Sequence, residues 1–458
     1  MEAAVSGTQM LMALFIGIVL LILLILKTKV HAFVALIISA ITIGLIGGMG
    51  TTATIDAISA GFGGTLGNIG IIIGFGVMMG QIFELSGAAE KMARTFLKLF
   101  GKKRESLALA LTGFLVSIPI FCDSGFVILS PLAKALSKKT KKSIVSLGVP
   151  LAAGLVVTHS LVPPTPGPLG VAGTFGVDVG QFILIAILIS IPMVAACLLY
   201  GTRLGKKIYQ LPADNGDGWI RPPYQEPVYD LKSDEESRKL PSAFMSFLPI
   251  VAPIILILIN TVSKALGKTE GIFSVLIFLG TPIVAVGIGL LLAIYTLAFK
   301  TERKVVISQM EDGIKSAGII ILVTGGGGAL GKVLQVSGVG DFIAEQISKS
   351  AIPIVLLPFI IATLVRFVQG SGTVAMVTAA GITAPIVLAA GGNMMLGAFA
   401  ACIGSLFFSY FNDSFYWVTT RLMGISDTKE QIRVWSFTTT IAWAVGLIEL
   451  LILNIFMG

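Results

Sequence analysis

Apolar runs of roughly 20 residues recur along most of this chain, the length that crosses the hydrocarbon core of a bilayer. The first spans Thr8 to Leu26 and the second Phe33 to Gly48. Inside hydrocarbon each backbone N–H and C=O must find its partner within the protein, which makes helices the expected element. The charge content agrees: 12% of residues are charged and 55% are hydrophobic, whereas a soluble domain carries roughly 25% charged residues. A soluble enzyme is excluded on that ground. The net charge of +8 reads as Lys and Arg kept on the cytoplasmic face of a plasma or inner membrane, with no nucleic-acid partner. Met1-Glu2-Ala3 lacks the basic residues of a signal peptide, so the first run is expected to be a retained span. Cys122, Cys197 and Cys402 lie far apart in apolar sequence and read as small buried hydrophobes; no metal or cofactor is expected.

Basic clusters punctuate the runs: Lys27 and Lys29, Lys91 to Arg104, Lys138 to Lys142, Arg203 to Lys207, Lys300 to Lys304, and Arg421 to Arg433. Placed on one cytoplasmic face, they put both chain termini outside. They also make residues 106–136 a problem, because both flanks are basic. The middle of that segment, Ser117-Ile118-Pro119-Ile120-Phe121-Cys122-Asp123-Ser124-Gly125, is unsuited to a continuous helix. A re-entrant hairpin returning to the cytoplasm answers both observations, with a kinked crossing as the alternative. Next comes a helix over 143–177, broken at Pro163-Pro164-Thr165-Pro166-Gly167-Pro168. The run Phe182–Leu199 returns inward, and residues 202–242 form a cytoplasmic linker.

The second half echoes the first. Gly70-Ile71-Ile72-Ile73 leading to Ser86-Gly87 resembles Gly318-Ile319-Ile320-Ile321 leading to Ser337-Gly338, and Ser124-Gly125 falls opposite Ser371-Gly372. The steps from Gly70 to Gly318, Ser86 to Ser337 and Ser124 to Ser371 are 248, 251 and 247 residues. The span Leu66–Leu85 ends at a basic loop, whereas Ile314–Val336 starts from one, so the halves run oppositely. Spans near Phe244–Leu258 and Phe273–Ala298 complete the second half, which has a hairpin at 352–391 and a broken helix at 395–423. The expected fold class is an all-α polytopic membrane protein of two inverted repeats, 1–201 and 243–458, with about 10 full spans and about 2 hairpins. Opposed repeats with broken helices mark secondary transporters, whose sites lie at the interruptions near the bilayer midplane.

Four interruptions supply the candidate residues. Asp123, Ser124 and Gly125 lie on the first hairpin, and Ser371, Gly372 and Thr373 on the second. Thr158 and His159, followed by Ser160, precede the prolines; Ser405, Ser409, Asn412, Asp413 and Ser414 lie on the second broken helix. Half-helix N-termini after Gly125 and Gly372 suit a small carboxylate. Ionisable groups within the membrane are functional candidates by default. Asp123, His159 and Asp413 are the candidates for carrying a coupled proton; equally, the two aspartates cap half-helices and the histidine bonds unwound carbonyls. Arg366 pairs either with the substrate or with an internal aspartate. Two lookalikes are set aside. Gly326–Gly331 fits GxGxxG but lies in an apolar run, where glycines permit close helix packing. Gly338-Val339-Gly340-Asp341 resembles the GxGD of intramembrane aspartyl proteases, yet no span carries the required Tyr-Asp partner.

Pro119–Phe126, Thr158–Pro168, Gln369–Ala375 and Phe408–Ser414 together resemble the gluconate permease family, over nearly the whole chain. The Thr-His followed by Pro-Pro-x-Pro-Gly-Pro is the most specific part. The resemblance implies proton-coupled uptake of gluconate and related sugar acids, with D-serine carried by some members. It also implies the wider group of ion transporters with paired re-entrant hairpins, and through it a homodimer and an elevator mechanism. Asp123 stands where the family usually has glutamate, Thr165 and Tyr410 where it often has histidine, and Phe415-Tyr416-Trp417 where it has Gly-Phe-Trp. Gluconate, glycerate and D-serine all stay open as substrates, as does Na⁺ in place of H⁺. The rival classes are an intramembrane enzyme using His159 with Asp413 or Ser160, and a passive channel.

Overall fold

The computed structural model describes residues 7–100, 103–213, 218–227, 240–339, 353–410 and 413–457. Helices dominate. In the first half these are α1 (Gly7–Lys27), α2 (Ala32–Ile46), α3 (Thr51–Ser86), α4 (Ala88–Phe100), α5 (Glu105–Val116), α6 (Cys122–Thr140), α7 (Ile144–Leu161), α8 (Pro166–Phe175) and α9 (Val179–Lys207). A small hairpin pairs β1 (Leu211–Pro212) with β2 (Trp219–Ile220). The second half has α10 (Ala243–Ala265), α11 (Ile272–Leu279), α12 (Pro282–Leu297), α13 (Arg303–Val336), α14 (Leu356–Gln369), α15 (Gly372–Ala389), α16 (Met394–Gly404), α17 (Ser414–Leu422), α18 (Thr428–Gln431) and α19 (Phe437–Met457). A π-helical turn, Ile432–Ser436, joins the last two. Among the described residues six helices are long and apolar enough to cross a membrane, or eight if two bent pairs each count as one. The chain is a multi-pass membrane protein.

Two elements depart from expectation. The third span does not begin near Leu66: α3 starts at Thr51 and bends by 45° between Gly67 and Gly70. The expected continuous span Phe273–Ala298 is interrupted, with α11 and α12 meeting at 69°. Pro282, as the first residue of α12, has no N–H to continue α11. Gly280 beside it lies so close to α10 that a Cβ would strike the Leu256 carbonyl. Helix α9 runs to Lys207, into the stretch read as linker; residues 228–239 of that linker lie outside the described residues.

Glycines set the close contacts around which the rest packs. A Cβ on Gly61 of α3 would meet the Gly328 carbonyl of α13, and one on Gly381 of α15 would meet Gly327. The Gly326–Gly331 run therefore lets α13 lie against α3 on one side and α15 on the other. Helix α7 is buried along nearly its whole length. It rests on α5, where Gly113 approaches the Leu151 carbonyl, and on α9, where Gly201 approaches Val149. The core gathers around α7, α8, α15 and α16. Helix starts at Glu105, Cys122, Ile144 and Pro166 are matched, in order and at a nearly constant step, by starts at Leu356, Gly372, Met394 and Ser414.

Candidate functional site

Each interruption has a local chemical cause. Helix α5 stops at Ser117, whose hydroxyl donates to the Ile120 carbonyl at 3.1 Å, and Pro119 follows. Helix α7 ends where Pro163, Pro164 and Pro166 exclude backbone donors, and α8 begins on Pro166, a position proline favours. Helix α14 ends at Gly370, whose φ of 91° is left-handed and suits glycine. Ser371 then caps α15, its Oγ accepting from the Val374 N–H at 3.4 Å. Asp413 caps α17 by accepting the Phe415 N–H on Oδ1 at 3.2 Å. Asn412, expected in the site, lies outside the described residues.

All four interruptions border one cavity of about 310 Å³. Cys122 and Asp123 reach it from the start of α6, Gly372 and Thr373 from the start of α15, and Ser414 and Phe415 from the start of α17. Val156, His159 and Ser160 come from the end of α7, and Ser405 and Leu406 from just after α16. Three helix N-termini thus converge, each presenting N–H groups and the positive end of its dipole.

The charged residues are held very unequally. Arg366, only 4% exposed, donates from Nη2 to Asp413 Oδ2 at 2.6 Å and from Nη1 to the Gly370 carbonyl. The same Oδ2 accepts from the Ser409 hydroxyl, which in turn accepts the Trp435 indole N–H at 2.9 Å. Asp123 has weaker company: Ser414 Oγ donates to its Oδ1 at 3.1 Å, and the Cys122 thiol lies 3.7 Å from Oδ2. His159 is half-buried, packs its ring 5.6 Å from that of Phe121, and has no hydrogen-bond partner at its buried Nδ1 among the described residues. It also borders a small void between the first two interruptions, lined by Pro119, Pro164 and Thr165. Among the described residues no three His, Cys, Asp or Glu side chains gather to hold a metal ion.

Of the expected residues, Asp123, His159, Ser371, Gly372, Thr373, Asp413 and Arg366 line the cavity. Ser124, Gly125 and Thr158 do not. Ser124 turns toward Glu84 of α3. Gly125 provides close packing, since a Cβ there would lie 2.6 Å from Leu155 Cδ2. Thr158 is wholly buried, and among the described residues its hydroxyl has no partner. Successive residues of a helix point in directions about 100° apart, so a sequence neighbour of a liner need not be a liner itself. Thr439 is a liner the sequence reading missed; its Oγ1 accepts the Ser409 N–H at 3.0 Å. The available signal was the hydroxyl cluster Ser436, Thr438, Thr439 and Thr440 inside an apolar span, next to a π-turn of the kind that accompanies functional sites.

Known proteins resemble this chain in sequence and in fold. The chain is 50% identical over 455 residues to an uncharacterized permease of Haemophilus influenzae, covering 98% of this chain and 93% of that one. It is 34% identical to a gluconate permease of Pseudomonas aeruginosa, covering 97% and 98%. It is 33% identical to the Gnt-II system L-idonate transporter of Escherichia coli, covering 96% and 97%. The fold matches that of the YdaH transporter of Alcanivorax borkumensis with a TM-score of 0.64 at 13% identity, over 91% and 97% of the two chains. Residues 9–456 match the pattern of GntP family permeases. The chain belongs to the GntP family of permeases.

Proposed function

We propose that this permease is a secondary active symporter that brings a small sugar acid or hydroxy acid into the cell together with a proton. The carrying observation is the single cavity bounded by all four interruptions, with three helix N-termini and the hydroxyls of Ser371, Thr373, Ser405, Ser414 and Thr439 around it. Free N–H groups and dipole ends suit a carboxylate, and the hydroxyls suit a polyol chain. The volume lies at the low end of the roughly 300–1,000 Å³ of small-molecule sites. That size, with Phe415 in the wall, accommodates gluconate or a shorter acid such as glycerate; D-serine offers the same carboxylate. The relatives' substrates named above, gluconate and L-idonate, are of this class.

Proton coupling follows from charge. Arg366 and Asp413 neutralise each other, which leaves Asp123 and His159 to set the charge of the cavity. An anionic substrate and an ionised Asp123 repel strongly in a low-dielectric site. A proton on Asp123 or His159 therefore favours the substrate, and the two bind together. The fold supports alternating access through inverted repeats: counterpart interruptions occur in the same order in both halves, and the basic loops then share the cytoplasmic face, with both termini outside. A homodimer with an elevator-type movement completes the reading by family resemblance.

Uptake into proteoliposomes of gluconate, glycerate and D-serine tests this, with inward H⁺ and Na⁺ gradients applied separately. Accumulation above equilibrium under the H⁺ gradient is expected. Accumulation under Na⁺ alone would reassign the coupling ion, and accumulation of no small carboxylate would end the symport reading.

A further inference from the structure

A second polar cavity, of about 270 Å³, lies apart from the interruptions. It is walled by α3 at Gly61–Thr65, the end of α8, the last turns of α13 and the end of α15. Its polar liners are Thr65, Thr174, Lys332 and Gln335, and among the described residues Lys332 is the only charged one. The Lys332 ammonium donates to Gln335 Oε1 at 3.1 Å. That acceptor is neutral, so among the described residues this contact does not cancel the positive charge.

Position makes this lysine unusual. From Arg303 to Lys332, α13 rises about 44 Å, more than the ~30 Å hydrocarbon core. If Arg303 and Lys304 are cytoplasmic, Lys332 lies at the outer face, where the distribution of basic residues disfavours it. The cavity shares α15 with the main one. Thr373 borders the first and Ala384 the second, about 16 Å apart along the helix. Gly64, where a Cβ would meet nothing within 4 Å, leaves the wall open, and a Cβ on Gly61 would lie 2.6 Å from Lys332 Cβ.

We infer that this cavity is an outer anion subsite. The carboxylate of an arriving substrate rests on Lys332 Nζ, with Gln335 and Thr65 meeting its hydroxyls, before it moves to the main cavity. The inference rests on the transport reading above and adds a second stop to it. A focused positive charge raises the local concentration and arrival rate of an anion, and salt weakens it.

The test compares wild type, K332Q, K332R and Q335E in proteoliposomes, measuring gluconate and glycerate uptake at low and high ionic strength. K332Q is expected to raise KM about tenfold at low salt with little change in maximal rate. K332R should restore the wild-type KM. Q335E places a carboxylate on the ammonium and should behave as K332Q. The wild-type KM should rise with salt, and that of K332Q should not. A K332Q protein with wild-type KM and wild-type salt dependence overturns the subsite and leaves transport standing. So does a lower unfolding temperature with unchanged KM, the result for a lysine that only anchors α13. Failure of the wild type to accumulate any of gluconate, glycerate and D-serine overturns the transport reading and the subsite with it.

Discussion

The two interruptions that begin α6 and α15 are counterparts in order, yet they treat charge in opposite ways. At the second, Arg366 sits one turn before the break and is bound to the Gly370 carbonyl and to Asp413. Asp413 is further held by Ser409, and Ser409 by Trp435. At the first, among the described residues, Asp123 has a hydroxyl and a thiol as its side-chain hydrogen-bond partners, and His159 has none at Nδ1. The second half thus contributes a locked charge frame, and the first half contributes ionisable groups with fewer hydrogen bonds. Under the symport proposal both matter: fixed geometry around the ligand, and a less constrained ionisable group beside it.

Breaking the locked side should have the largest effect. R366M or D413N leaves a buried charge unpaired, at a cost of about 3–5 kcal/mol. Thermal unfolding in detergent should show a large drop for each single variant and a smaller one for R366M/D413L, which removes both charges. Equal losses for single and double variants would mean that the pair is not a unit. On the free side, D123N should abolish gradient-driven accumulation while leaving the unfolding temperature near wild type. Counterflow exchange, which needs no net proton movement, should persist. A D123N protein that still concentrates substrate under a proton gradient removes Asp123 from coupling. H159A should impair coupled uptake in the same assay, and full retention of pH-dependent transport would move the proton elsewhere.

The smaller effects concern what holds the two sides in place. G125A inserts a methyl 2.6 Å from Leu155 Cδ2. Because the obstruction is the movable end of a side chain, the expected cost is about 1 kcal/mol, read as a modest shift in unfolding temperature. The smallest change is expected for R221A. Arg221, on β2's flank, pairs with Glu430 at 2.8 and 2.5 Å but is about half exposed. Solvent limits such a pair to about 0.5 kcal/mol. A large loss of transport in R221A would show that this segment does more than pack against the helix ends.

Much of the scaffold was legible because its causes are local. Prolines at 119, 163, 164 and 166 and the glycine at 370 lie at the interruptions, where they remove backbone donors or take up a left-handed turn. Scarce charges within apolar sequence singled out Asp123, His159, Arg366 and Asp413. The 51–67 part of α3 was harder to read, because its glycines and threonines dilute the apolar signal. The break between α11 and α12 was hidden too, since a single Gly-Thr-Pro is weak punctuation.

The sequence by itself determined the environment, the approximate positions of the breaks and the short roster of ionisable groups. Each follows from hydrophobicity and backbone chemistry acting within about 20 residues. Only the tertiary structure decided which side chains share a cavity. Ser124, Gly125 and Thr158 are sequence neighbours of Asp123 and His159, yet they face Glu84, Leu155 and the core. Thr439, from the last helix, faces the cavity beside them. The rotation of each helix about its own axis is set by packing against distant partners, here glycine-mediated contacts among α3, α7, α13 and α15. No local pattern encodes that rotation.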